Sequence, residues 1–217
     1  MKFKHGKNLK LRGKKSIFID RDVVIGNNVT IYENNIIEKG TIIGDNVTLL
    51  PSNHIISSVV KTNATIESSH IQDAIVHENV SVGPFARLRP KAVICKNAKI
   101  GNFVEIKNAT VGEGSKVSHL AYVGDAEIGK DCNIGCGAIF VNYNGISKSR
   151  TIVGDNCFIG SNCNIIAPVE IKSGSYVCAG TTVTESTNDF DFVIGRVRAE
   201  VKPERAKKYM KQKEENK

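Results

Sequence analysis

The sequence predicts an all-β solenoid, a parallel β-helix of hexapeptide repeats with about nine coils, and three observations predict it. Apolar residues recur at every sixth position over long stretches, as at Ile19, Ile25, Ile31, Ile37, Ile43, Leu49 and Ile55. A glycine often follows the apolar residue, as at Gly26, Gly44, Gly101 and Gly112. A small or β-branched residue stands four positions after it, as at Val29, Val47, Ala98 and Val104. A period of six is wrong for a helix and too long for simple strand alternation. It fits a triangular prism, in which each hexapeptide supplies one short strand and one corner. The aliphatic residue fills the prism, and glycine is expected to relieve the backbone at tight corners. One coil cannot bury its apolar face alone, so stability comes from stacked neighbours.

The segments follow in order. Residues 1–16 form a basic lead-in carrying Lys2, Lys4, Lys7, Lys10, Arg12, Lys14 and Lys15. The β-helix is expected over 17–196, with twenty-eight apolar anchors at three per coil. Five-residue steps, such as Leu49–Ile55 giving way to Val60 and Ile66 to Ile71, read as shortened corners. The repeat breaks once at length, at VNYNGISKSRTI over 141–152, which contains the turn-forming pair Asn144-Gly145 and should loop out. Residues 197–217 are a charged tail, expected to be helical, with Pro203 at a first turn.

Composition removes several classes of function. No run approaches the roughly 20 apolar residues of a membrane span, and no secretory signal is legible, so the cytoplasm is expected. The net charge of +8 attracts polyanions, phosphorylated cofactors among them. With no Trp and 6% aromatic residues, stacking on nucleic-acid bases has little support, and no nucleic-acid partner is expected. Six cysteines form no CxxC pair, and no metal site is expected. Cys132, Cys157 and Cys163 fall at the small inward position, as compact apolar filler.

Polar residues that break or flank the rhythm are the candidates for chemistry. Arg87 and Arg89 flank inward Leu88, Lys107 follows inward Ile106, and His119 and Tyr122 stand beside inward Val117 and Val123. Arg89, Lys107, His119 and Tyr122 should therefore share the outer wall. The strings VGPFARLRP (82–90), IGNFVEIK (100–107), KVSHLAYVGDAEIG (116–129), NIGCG (133–137), VNYNG (141–145), TIVGDN (151–156), IAPVEI (166–171) and AGTTVT (179–184) carry a specific likeness. They resemble the C-terminal acetyltransferase domain of the bifunctional bacterial N-acetylglucosamine-1-phosphate uridyltransferase/glucosamine-1-phosphate acetyltransferases. A weaker match reaches back to about Leu11. The family's Gly-rich nucleotidyltransferase loop has no counterpart here, so no uridyltransferase activity is expected.

The resemblance implies a left-handed β-helix and transfer of acetyl from acetyl-CoA, a co-substrate rather than a tightly bound cofactor, to the amine of glucosamine-1-phosphate. The product serves UDP-N-acetylglucosamine synthesis. By the same likeness His119 is the general base. Arg89, Lys107, Tyr122, Asn133 and Lys148 bind the sugar phosphate. Cys136 (through its backbone N–H), Asn142, Tyr143, Ser161, Ala179 and Arg196 contact acetyl-CoA. The partner implied is a second and third copy of the chain, in a homotrimer whose active sites lie between subunits. The tail departs from the family, since GRVRAEVKPERA keeps Lys202 but lacks the aromatic residue that often follows. Two further readings stay open: an acetyltransferase acting on another amino sugar or nucleotide-sugar, and a non-catalytic β-helix scaffold.

Overall fold

The computed structural model describes residues 3–214; residues 1–2 of the expected lead-in and 215–217 of the expected tail lie outside it. Thirty-one short strands wind into three parallel ladders that form the faces of a prism. Face one runs from Lys4–His5 to Val169–Ile171 and holds ten strands; face two runs from Lys10–Leu11 to Phe192–Val193 and holds eleven; face three runs from Phe18–Ile19 to Thr182–Val183 and holds ten. The chain passes from face one to two to three and back, so that every coil pairs with the coils above and below.

The six-residue pattern explains this winding. In a strand such as Thr30–Ile31 the isoleucine points inward and is fully buried, while the threonine points out. Like residues then stack in register, with Ile31 on Leu49 and Leu49 on Ile66. The small residue four positions on also points inward, as at Val29, Val47 and Ala64. Cys132, Cys157 and Cys163 occupy this position and are buried, whereas Cys136 is exposed.

The coil count exceeds the expected nine. Two rungs precede Ile19, the strands Lys4–His5 and Lys10–Leu11, which pair with Val24–Ile25 and Thr30–Ile31. Phe3, Leu9 and Leu11 pack against the core there. A further rung, Phe192–Val193, extends face two beyond Val183. Two of the basic residues that gave the start its charged character, Lys4 and Lys10, lie in these rungs with exposed side chains. The only α-helix among the described residues, Lys207–Glu214, begins after Pro203 rather than at it.

Most glycines that follow the apolar residue serve a different purpose from the one expected, whereas Gly83 at φ 105° and the corner glycines Gly40, Gly114, Gly137, Gly174 and Gly180 do take the left-handed backbone. Gly26 follows inward Ile25 and does not have a left-handed backbone; a Cβ there would lie 2.8 Å from the Gly44 backbone of the next coil. Glycine at this position permits close stacking. The left-handed position is the third after the apolar residue, held by Asn28, Asn46, Asn63, Asn79 and Asn97 on the corner between faces one and two. Asparagine tolerates that conformation, and here the side-chain amides donate from coil to coil up to Asn97, from Asn28 to Asn46 at 3.1 Å and from Asn46 to Asn63 at 3.1 Å. Inside the prism a second polar ladder was not foreseen: Asn53 donates to Asn35 Oδ1 at 2.9 Å, and both are buried.

Candidate active site

Two groups of the expected residues gather at the two edges of face three. The first edge is the corner between faces two and three. His119 ends the strand Lys116–His119 and pairs with Asn102 of the coil before it. Extending the same register, in which Val117 stacks on Ile134, Ile134 on Ile159 and Ile159 on Val177, puts Cys136, Ser161 and Ala179 on that edge in consecutive coils. Arg196 caps the row, its Nε donating to the Ala179 carbonyl at 2.8 Å. His119, Cys136, Ser161, Ala179 and Arg196 are all exposed. They form one continuous strip up the prism.

His119 Nδ1 lies 2.7 Å from Asn102 Oδ1. A carbonyl oxygen only accepts, so Nδ1 carries the hydrogen and Nε2 keeps its lone pair facing outward. Asn102 was not among the residues expected from sequence. The signal was present, because Asn102 is the equivalent of His119 one coil earlier, but the outer wall holds many asparagines with no such partner.

The second edge is the corner between faces three and one. Arg89 follows the strand Arg87–Leu88 of face three, and Lys107 ends the next, Glu105–Lys107, where it pairs with Gly124. Tyr122 points outward from the same face and lies over Gly124, where a Cβ would come within 2.6 Å of the ring. Its phenol is thus directed towards the lysine side of the face. The interruption of the repeat leaves from this corner, between the strands Ile139–Val141 and Thr151–Val153. Tyr143 and Lys148 form an antiparallel bridge across it, and Asn144 Oδ1 accepts from the backbone N–H groups of Ile146 and Ser147 at 2.9 and 2.8 Å.

The charges at this second edge are uneven. Arg89 Nη1 donates to Glu105 Oε1 at 2.8 Å, so its charge is matched within the chain. Lys107 Nζ is 3.8 Å from Asp125 Oδ2, in a pair whose side chains are 20% and 12% exposed. The adjacent Lys148 side chain, burial and the charge of Arg89 push the Lys107 ammonium below the usual lysine range, while Asp125 pulls the other way. Burial works against the ionised form of Asp125, but hydrogen bonds from Asn108 and Asn142 and the charges of Lys107 and Lys148 outweigh it and hold the carboxyl below its ordinary value. The corner is a nest of cations around one buried carboxylate.

Not every expected residue joins these groups. Asn133 stands on face two between Lys116 and Phe158. Asn142 and Tyr143 leave from the corner of Lys107, across face three from Cys136, Ser161 and Ala179. Within one chain the two groups of expected acetyl-CoA contacts stand apart.

Comparison with known proteins places this architecture. GlmU of Clostridium kluyveri, a bifunctional protein, is 46% identical over 181 residues, covering 83% of this chain and 40% of the relative. This chain is a homologue of GlmU. The GlmU of Acetivibrio thermocellus gives the same 46% over 187 residues, 86% of this chain and 41% of the relative. The chain therefore spans about two fifths of the length of these GlmU proteins. Family models match two segments: the GMPPB C-terminal domain over residues 70–143, and the hexapeptide repeat of succinyl-transferase over 150–185. Among solved structures, UDP-N-acetylglucosamine acyltransferase from Campylobacter jejuni shares the fold at a TM-score of 0.59 and 18% identity, over 74% of this chain and 69% of that one.

Proposed function

We infer that the chain transfers acetyl from acetyl-CoA to the amine of glucosamine-1-phosphate. One observation carries this reading: a strip topped by Arg196 and containing an imidazole with a free Nε2 borders the same face as a cationic corner. The strip suits a long phosphorylated thioester. The corner suits a sugar phosphate, since Arg89 offers a planar fork and Lys107 and Lys148 offer point charges to a dianion.

In this reaction Nε2 of His119 accepts a proton from the substrate ammonium. The freed amine attacks the thioester carbonyl. A backbone N–H at Cys136 donates to the developing oxyanion. The C–S bond then breaks with its electron pair on sulfur, the nitrogen gives up its second proton as the amide forms, and CoA leaves as the thiol that takes up that proton. Asn102 keeps the imidazole in the required tautomer throughout. Tyr122 orients the sugar between the corner and the strip, and Asn133 contributes from face two. Asn142 and Tyr143 complete the acetyl-CoA site of a neighbouring copy in a homotrimer. Their separation from Cys136, Ser161 and Ala179 within one chain supports that arrangement, because the corner of one copy can face the strip of the next. No described helix is long and apolar enough to cross a membrane, and the cytoplasm, where acetyl-CoA is at hand, is the compartment this reading requires.

The test is thiol release from acetyl-CoA in the presence of a panel of amino sugars and their phosphates. Turnover confined to glucosamine-1-phosphate is expected. Turnover with a different acceptor would overturn the substrate assignment, and no turnover with any acceptor would overturn the activity.

A further inference from the structure

We propose that Asp125 is a positioning residue that couples the acceptor's phosphate cradle to the extruded loop. This rests on the acetyltransferase reading of that corner. The carboxylate is nearly buried, at 8% exposure, and has three partners. Asn108 Nδ2 donates to Oδ1 from the coil before, Asn142 Nδ2 donates to Oδ2 from the loop, and Lys107 Nζ stands 3.8 Å from Oδ2. The backbone joins in, since Thr151 N–H at the end of the loop donates to the Asp125 carbonyl at 3.1 Å. Both ends of the loop are therefore tied to this one residue.

Comparison with the other corner explains why the residue is an aspartate. Between faces one and two, asparagines donate in one direction from coil to coil, each accepting from below and donating above. At the corner between faces three and one, Asn108, Asp125 and Asn142 occupy successive coils, but the donors converge. A carboxylate accepts from both sides without offering a hydrogen in return. It ends the ladder and leaves a negative charge beside Lys107. The charged groups facing Lys107 are Asp125 from the next coil, Lys148 from the loop and Arg89 from the previous coil, the last already paired with Glu105. Asp125 is the one anion in direct reach of the Lys107 ammonium among the described residues. It keeps that lysine charged and aimed at the corner in the absence of substrate, and it seats the loop by the same two oxygens.

Asp125→Asn separates the two roles. The amide of Asn142 can turn over and preserve a ladder, but the charge is gone. Lysine side-chain NMR should then show Lys107 titrating about one pH unit or more lower than in the parent. The KM for glucosamine-1-phosphate should rise about tenfold or more, most steeply at alkaline pH, with the KM for acetyl-CoA nearly unchanged. Asp125→Ala should in addition speed amide hydrogen exchange over residues 142–149 about tenfold while the rest of the prism keeps its protection. An unchanged Lys107 midpoint in Asp125→Asn, or unchanged loop protection in Asp125→Ala, overturns the proposal. These two readouts need no substrate. The expected Lys107 shift in Asp125→Asn, found together with a parent chain that turns over no acceptor, would refute the acetyltransferase reading and leave the hold of Asp125 on Lys107 and the loop standing.

Discussion

At the residue scale, the chemistry of the site depends on how single side chains are held. His119 is exposed and gains its definition from one hydrogen bond to Asn102. Replacing His119 with Ala should lower kcat about 100-fold or more, because the ammonium then has no positioned base. Replacing Asn102 with Ala should lower kcat by a smaller factor of about 10, by freeing the ring to adopt the other tautomer, with little change in either KM. Steady-state kinetics on both variants checks this, and a near-normal His119→Ala rate would remove the histidine from the mechanism. His70 has no such task but sets a limit on stability. It stacks on His54 with ring centroids 4.8 Å apart, and its Nε2 is buried without a hydrogen-bond partner. Burial, then the charges of His54 and Arg87, hold its imidazole below the ordinary value of 6.5, with Glu38 opposing them weakly. The folded chain thus takes up this proton less readily than the unfolded chain. No penalty exists well above pH 6.5; stability should fall as pH drops through 6.5 toward the folded value. Denaturant melts between pH 7.5 and 5.5 should therefore show a smaller loss in His70→Gln than in the parent.

At the scale of elements, the ladder is the unit that decides. Most strands contain only two or three residues and have no independent stability. Each is fixed by the identical element above and below it. The buried Asn35–Asn53 ladder illustrates the cost of an error. Asn53 Nδ2 donates to the Leu50 carbonyl at 2.7 Å, and Asn53 Oδ1 accepts from Ser69 N–H at 2.9 Å. Asn53→Ala leaves the Ser69 N–H and Asn35 Oδ1 unsatisfied inside the prism, although the Leu50 carbonyl keeps Asn35 Nδ2 as a donor, and should destabilise the fold by about 1–3 kcal/mol, read by chemical denaturation. A change below the error of that measurement would mean that the ladder contributes nothing beyond space filling. The long loop is legible as an element for the opposite reason. Its polar sequence breaks the period, and no inward anchor lies between Phe140 and Val153. Its attachment was not legible, because the hydrogen bond from Asn142 to Asp125 depends on which corner lies beneath it.

At the scale of the whole molecule, the proposed site takes parts from two copies of the chain. The strip and the loop are on opposite sides of face three, so a chain by itself offers two half-sites. If neighbouring copies join them, two inactive variants should rescue each other. Co-refolded His119→Ala and Asn142→Ala chains in equal amounts should recover roughly a quarter of the wild-type sites, since half of the strips and half of the loops are intact and they combine at random. Recovery no greater than the mean of the two pure variants would place the whole site within one chain. Sedimentation of the same mixture should give a single species of three copies.

The sequence by itself determined the solenoid, its three-sided coil, the inward residues and the place where the loop leaves. A period of six repeated over most of the chain leaves few other ways to bury its isoleucines and valines. It also marked His119, Arg89 and Lys107 as outward. It undercounted the coils, because the lysine-rich start hides inward Leu11 behind outward Lys10. It also misjudged glycines such as Gly26 and Gly44, whose need is set by the distance between coils rather than by the turn within one. Tertiary structure alone decided that Asn102 lies under His119, that Asp125 receives Asn108, Asn142 and Lys107 together, and that the two groups of site residues take opposite edges of one face. The physical reason is that these relations run between coils. Winding brings residues about seventeen positions apart into contact, and small slips in the corners set which of them meet.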